Sequence, residues 1–348
     1  MSVLGREDLA PESSGARRSR VCMRRRDVVV ALASVLVSAG RARAQPAGMP
    51  VIGYLGSESP ERYASRLAAF AEGLADTGFV EGRNVSILFA WADGRYPQLP
   101  ALAAQLAQRD VSVIVAPGGA EVALAAKAAT REIPTVFELG GDPVALGLVA
   151  SLSRPGGNMT GVSSLSVEVS RKRLEFLSEI FPATKLFAVA ANPTSPTVAS
   201  QLKNLHAAAD ALGLQLRILN ASSAEEFDGL FTATREMGAG GLVFTSDPFF
   251  AYRSRQLAEL AARHGVAAVT QARDFPVAGG LMSYGGDFQQ SHRHTGIYAG
   301  RILKGEKPAD LPVQRVTKVE LFINLKAAQA LGVSVPPSLL SSADTVIE

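Results

Sequence analysis

Cysteine is almost missing from the 348 residues: Cys22 stands alone. It precedes the apolar stretch 28–40, whereas a lipid-anchoring cysteine would follow it. Downstream of residue 44 there is no thiol, which excludes disulfides, thiolate-bound metal and a cysteine nucleophile from that part of the chain. Histidine is also scarce, with four in all. His292 and His294 stand two apart on an expected helix and point away from each other, and His206 and His264 sit on other helices, so no metal site is expected. The patterns H-E-x-x-H, G-x-S-x-G, G-x-x-x-x-G-K-[ST] and G-x-G-x-x-G do not occur, and no cofactor is expected.

Long apolar runs are lacking too. The longest, VVVALASVLVSAG (28–40), has 13 residues, where a membrane-spanning helix needs roughly 20. It follows the arginine-rich RRSRVCMRRRD and precedes Ala42-Arg43-Ala44, a small-x-small cleavage pattern before Gln45. Residues 1–44 therefore read as a signal peptide, with Met23 as an alternative start and Arg25-Arg26 resembling a twin-arginine signal. Export to the periplasm, by the general or the twin-arginine route, is the expectation. The formal charge of +3 belongs to this leader. It holds nine arginines and four acids, leaving 26 basic and 28 acidic residues in the rest. With no basic stripe or recognition motif, nucleic acid is not an expected partner. The cluster Arg171, Lys172, Arg173 reads as a solvated helix face.

What is present is a globular composition, 47% hydrophobic and 19% charged, at a length sufficient for two domains. From Met49 on, short apolar strands alternate with amphipathic helices, the signature of parallel βαβ units. Strands are expected at 51–55, 84–91, 111–116, 134–139 and 159–164, then at 185–190, 214–219, 241–246, 267–270 and 280–284. Two stretches echo each other. LGSESPERYASRL (55–67) and ANPTSPTVASQL (191–202) each follow a strand with Ser-Pro and a helix, ended by Gly78 and Gly213 respectively. PTVFELGGDP (134–143) and GLVFTSDP (241–248) both close a strand with Asp-Pro. The pairing predicts an α/β fold of two Rossmann-like lobes with parallel sheets, joined by three crossover segments. The expected first lobe is 49–163 plus 281–310, and the second 164–280 plus 311–348.

Open α/β sheets bind ligands at the carboxyl ends of their strands. Asp142 and Asp247 stand there, as helix caps, as partners for a ligand ammonium, or as an acid/base pair in a cleft enzyme. Gly118-Gly119 opens a helix where an anion can approach backbone N–H groups. Phe249, Phe250 and Tyr284 sit at strand ends, either stacking on a ligand or serving the core, and Trp91 carries the same two readings.

Six segments in combination, MPVIGYLGSESPERYASRLAAFAEGL, FVEGRNVSILFAWADGRYPQLPALAAQL, IPTVFELGGDPVALGLVASLSRPGGNMTGVS, GGLMSYG, and AGRILKGEKPADLPVQ with INLKAAQALGVSVPPSLL, resemble the periplasmic substrate-binding proteins of ABC transporters, in the tryptophan- and tyrosine-type group. The resemblance covers nearly all of 49–340. It implies the periplasmic binding protein type I fold, a cleft ligand, no enzymatic activity, and delivery to a membrane permease with a cytoplasmic ATPase. The positions matching the family's cleft loops are Gly56, Ser57, Gly118, Gly119, Ala120, Asp142, Asn192, Thr194, Ser195, Asp247 and Tyr284. On this reading Ser57, Ala120 and Thr194 hold a ligand carboxylate, Asp142 or Asp247 an ammonium, and Phe249 or Tyr284 a side chain. The expected solute is an amino acid or aromatic acid, bound by a monomer. The alternatives are a cleft enzyme using Asp142 and Asp247, and a ligand-sensing receptor module; a repressor of this architecture would need a DNA-binding headpiece where the leader stands.

Overall fold

Strands buried on both faces are written as near-continuous apolar runs, and the two sheets of this protein are built from such runs. A computed structural model describes residues 48–164 and 166–348; the expected signal peptide lies outside the described residues. The strands are β1 (Val51–Gly56), β2 (Ser86–Trp91), β3 (Val113–Pro117), β4 (Thr135–Leu139), β5 (Met159–Ser164), β6 (Leu186–Ala191), β7 (Gln215–Asn220), β8 (Leu242–Phe244), β9 (Ala268–Thr270), β10 (Met282–Gly286), β11 (Gln314–Val316), β12 (Val319–Asn324) and β13 (Thr345–Ile347). The helices are α1 (Pro60–Asp76), α2 (Leu99–Ala107), α3 (Ala120–Ala129), α4 (Ser170–Ile180), α5 (Val198–Leu212), α6 (Phe227–Glu236), α7 (Pro248–Tyr252), α8 (Ser254–His264), α9 (Asp274–Val277), α10 (Phe288–Leu303), α11 (Leu325–Ala330) and α12 (Pro337–Ser342).

The first sheet runs β11-β5-β4-β3-β1-β2 with every pair parallel. The second runs β13-β12-β10-β9-β8-β6-β7. It departs from the all-parallel expectation at one pair, where β12 meets β10 antiparallel, Met282 opposite Ile323. Each sheet carries its own core. Ile52, Tyr54, Phe70, Val113 and Val136 pack in the first lobe, and Leu174, Phe187, Val243, Val269 and Ile323 in the second.

The chain crosses between lobes three times: after β5, at Asp287 between β10 and α10, and at 317–318 between β11 and β12. The expected boundaries need correction. Residues 282–286 form β10 of the second sheet, paired to β9 and β12, so the return crossing falls at 287 rather than 281. Residues 314–316 extend the first sheet beside β5, so the last crossing follows 316 rather than 310. A short apolar strand does not encode which sheet it joins; its partners decide.

The echoed helix starts also diverge. Ser59 is the N-cap of α1, with Pro60 in its first turn. In the second lobe α5 begins only at Val198 after Thr197, so Ser195 sits in the preceding turn. Both stops are as expected: Gly213 is left-handed at φ 63, and Gly78 follows α1 at φ 88. Helix α10 returns to the first lobe and lies along α1. A side chain at Gly73 would strike the Arg293 carbonyl, and one at Gly296 the Phe70 carbonyl. Those two glycines bring the helix backbones together, which fixes the cleft-facing residues of both.

Candidate functional site

The carboxyl ends of the two sheets face each other across a narrow cleft with about 50 Å³ of free space. The first lobe supplies Glu58, Arg66, Glu138, Phe288 and His292, and the second Ser195, Ser246, Pro248, Ala251 and Gln271. Ser166 and Val167 of the first crossing complete the wall.

Two hydrogen bonds span the seam between lobes. Tyr96 OH donates to Asp247 Oδ1 at 3.0 Å, and Ser195 Oγ donates to Glu121 Oε1 at 2.9 Å. Burial, then repulsion by Asp247, pushes Glu121 up to about 7; burial raises Asp247 as well. Gly119, at φ 112, lies where a Cβ would come within 2.7 Å of Pro248 Cγ across the seam. Only a residue without a side chain permits this approach.

On the first-lobe wall, Arg66 Nη1 donates to Glu58 Oε1 at 3.1 Å, and its guanidinium lies 4.9 Å from the Tyr63 ring centre and 5.3 Å from that of Phe288. Glu58 is nevertheless raised, because burial outweighs the arginine. Glu138 occupies the buried strand β4. Its Oε2 accepts from the Gly118 N–H at 3.3 Å, its Oε1 has no partner, and burial raises it to about 7. His292 Nδ1 stands 2.7 Å from the Phe288 carbonyl and Nε2 has no partner. Burial, followed by the Arg66 charge, lowers the imidazole to about 3.

On the second-lobe side the polar groups are largely engaged. Gln201 donates to the Ser246 carbonyl at 2.8 Å and accepts from its N–H. Arg173 donates to the carbonyls of Phe244 and Ser166 and to Ser246 Oγ. Arg173 is fully buried, which corrects its expected place on a solvated face: basic residues in a row cannot all share one face of a helix, and this one turns inward.

The expected site residues divide. Gly118, Gly119, Ala120 and Ser195 line the cleft. Ser57 stands behind them, its hydroxyl 3.2 Å from Tyr63 OH, and Gly56 is packed beneath the Trp91 ring. Asp247 caps α7 through the Phe249 N–H at 2.7 Å and accepts from Asn192 Nδ2 at 3.1 Å; with Tyr96 these occupy its oxygens. Asn192, Thr194 and Phe249 border an outer groove beside Tyr96 and Arg253. Thr194 is bonded to Asn192 Oδ1, and the Phe249 ring belongs to the second-lobe core with Phe227 and Phe250.

Two expected residues are not brought to the cleft. Asp142 is exposed and accepts from the Val144 N–H at 2.8 Å in a turn, so it neither caps a helix nor faces Asp247. Tyr284, on β10, packs edge-on against Phe176 at 5.1 Å in the second lobe. Trp91 belongs to an aromatic cluster with Phe89, Tyr54 and Tyr63. The carboxylate pair of a cleft enzyme is therefore not assembled from Asp142 and Asp247. The residues that sequence reasoning missed are Glu58, Arg66, Glu121, Glu138 and His292. A signal existed for one of them: Glu138 interrupts the otherwise apolar TVFEL, and a carboxylate on a strand buried on both faces needs a purpose.

No group of histidine, cysteine or carboxylate residues able to hold a metal occurs among the described residues, and no helix there is long and apolar enough to cross a membrane. The family model for ABC transporter substrate binding protein matches residues 58–347. A tyrosine-binding protein of Clostridioides difficile is 26% identical over 266 residues, 75% of each chain. Among solved structures, a conserved domain protein of Vibrio cholerae matches with TM-score 0.79 at 26% identity, covering 86% of this chain and 99% of that one. The ABC domain from Streptococcus pneumoniae in complex with L-Trp matches with TM-score 0.78 at 25% identity over the same shares. The ligand-free, open structure of a substrate binding protein with adhesive properties from Clostridium difficile, also 25% identical over 86% and 99%, matches with TM-score 0.62.

Proposed function

Since the chain belongs to the ABC transporter substrate binding proteins, we propose that it closes by hinge motion on a small organic solute, an amino acid or aromatic acid, and passes it unchanged to a membrane permease driven by a cytoplasmic ATPase. The observation that carries this reading is the narrow cleft at the carboxyl ends of the two sheets, walled by both lobes and latched by hydrogen bonds across the seam. Three backbone crossings joining two separate sheets provide the hinge. The relatives described as tyrosine-binding and as bound to L-Trp favour an aromatic amino acid. The higher likeness to the L-Trp complex than to the open form supports a closed arrangement of these lobes.

The protein acts, on this proposal, in the periplasm as a monomer, after removal of residues 1–44. The test is native mass spectrometry of freshly purified mature protein, followed by a thermal-shift screen of amino acids and aromatic acids. A solute bound at 100 times its Kd stabilises the folded state by about 2.7 kcal/mol and is recovered chemically unaltered. Failure of every solute to shift the midpoint, or conversion of a bound one, overturns the proposal. Size-exclusion chromatography with light scattering checks the monomer, and the mass of the periplasmic chain checks Gln45 as its first residue.

A further inference from the structure

We propose that Glu138 is the counter-ion for a ligand ammonium and that His292 Nε2 is a further acceptor for the same solute, so that the cleft selects solutes carrying a protonated amine. This rests on the solute-binding reading above and names what that site recognises.

The argument is one of unfilled hydrogen-bonding capacity. Glu138 is 2% exposed. One carboxylate oxygen is held by the Gly118 N–H, and the other has no donor although it belongs to a residue of the cleft wall. A buried acceptor without a donor is costly, and native interiors rarely leave one unfilled. His292 adds a second. A carbonyl only accepts, so the contact with Phe288 fixes the proton on Nδ1 and leaves Nε2 of the neutral ring as a lone pair. The cation on this wall, Arg66, is paired with Glu58 through Nη1; its charge is felt by Glu138, but it donates to neither Glu138 Oε1 nor His292 Nε2. The other groups near Glu138 are Tyr54 and Tyr63, which also feel its charge, and the Ser164 hydroxyl, which favours the ionised carboxylate; Tyr54 OH is itself without a partner and is not bonded to Glu138. The first-lobe wall thus offers acceptors and an unbalanced negative charge. An ammonium brings three N–H donors and a positive charge; a carboxylate at the same place would meet repulsion.

The test titrates the purified mature protein calorimetrically with matched sets: L-tyrosine, tyramine and 3-(4-hydroxyphenyl)propionate; L-tryptophan, tryptamine and indole-3-propionate. A thermal-shift library of aliphatic amines and their amine-free counterparts runs beside it. In each set that binds, the amine-bearing members are expected to bind and the amine-free member to fail. Glu138→Gln is expected to weaken amine binding at least thirtyfold while leaving the melting temperature of the free protein unchanged or raised. Should that variant fold poorly, Glu138→Asp, which keeps the charge but shortens its reach, is expected to give an intermediate loss. Equal or tighter binding of the amine-free member, or wild-type affinity in Glu138→Gln, overturns the assignment while leaving solute binding intact. Binding by no solute in either series overturns both.

Discussion

The two walls of the cleft differ in how completely their polar groups are used. On the second-lobe side, Ser246, Gln201 and Arg173 form one network and Asp247 is bonded separately to Phe249, Asn192 and Tyr96; each side chain has several partners, with only Arg173 Nε left over. On the first-lobe wall Glu138 Oε1 and His292 Nε2 stay open. A saturated wall is stiff and indifferent to what it meets, whereas one with open acceptors discriminates. On the proposed reading, the difference places recognition on the first lobe and clamping on the second.

Breaking the saturated side has the largest expected effect. Arg173→Met removes donors from two buried carbonyls and a hydroxyl, and chemical denaturation is expected to show a loss of about 3 kcal/mol, on the order of 1 kcal/mol for each acceptor left without its donor. Next comes the approach of one wall to the other. Gly119→Ala places a methyl group against Pro248 at a backbone angle costly for any L side chain, and solute affinity is expected to fall by about 2 kcal/mol, or thirtyfold. X-ray scattering is then expected to show the lobes apart with solute present. Tyr96→Phe deletes one latch bond and is expected to cost about 1–2 kcal/mol in affinity, read by titration calorimetry.

The latch also carries a pH signature. Glu121 from one lobe and Asp247 from the other are both raised in the closed arrangement, and separation of the lobes returns Glu121 to water and its ordinary range. The closed form therefore holds more protons. Its advantage is complete below the ordinary carboxylate range and is lost as pH rises through about 7, the value of Glu121 when closed. Scattering from the ligand-free protein is expected to show a smaller radius of gyration at pH 5 than at pH 8, with Glu121→Gln flattening the response. The smallest effects are expected from Asp142→Asn and Tyr284→Phe, which lie away from the cleft. Solute affinity should stay within twofold of wild type in both.

The lobes and most strands were legible in the sequence because strand and helix periodicity are local properties. So were the cap at Asp247 and the stop at Gly213, each set by a few neighbouring residues. The recognition wall was not. Glu58 and Arg66, Glu138, and His292 come from three distant parts of the chain, and only the pairing of β1, β3 and β4 and the return of α10 bring them together. His292 reads as an ordinary helical residue until the neighbour that orients its ring is known. Asp142 and Tyr284 stand away from the cleft, because a position beside a strand does not say which way its side chain turns or how far it stands from the opposing lobe.

Helix α10 begins one residue after the second crossing, carries Phe288 and His292 on the cleft wall, and is locked to α1 through Gly73 and Gly296. A load placed on His292 by a captured molecule therefore acts on a rigid arm whose pivot is the joint between the lobes. Occupancy and opening angle become two readings of one mechanical coordinate, and a receptor that senses the angle needs no contact with the cargo.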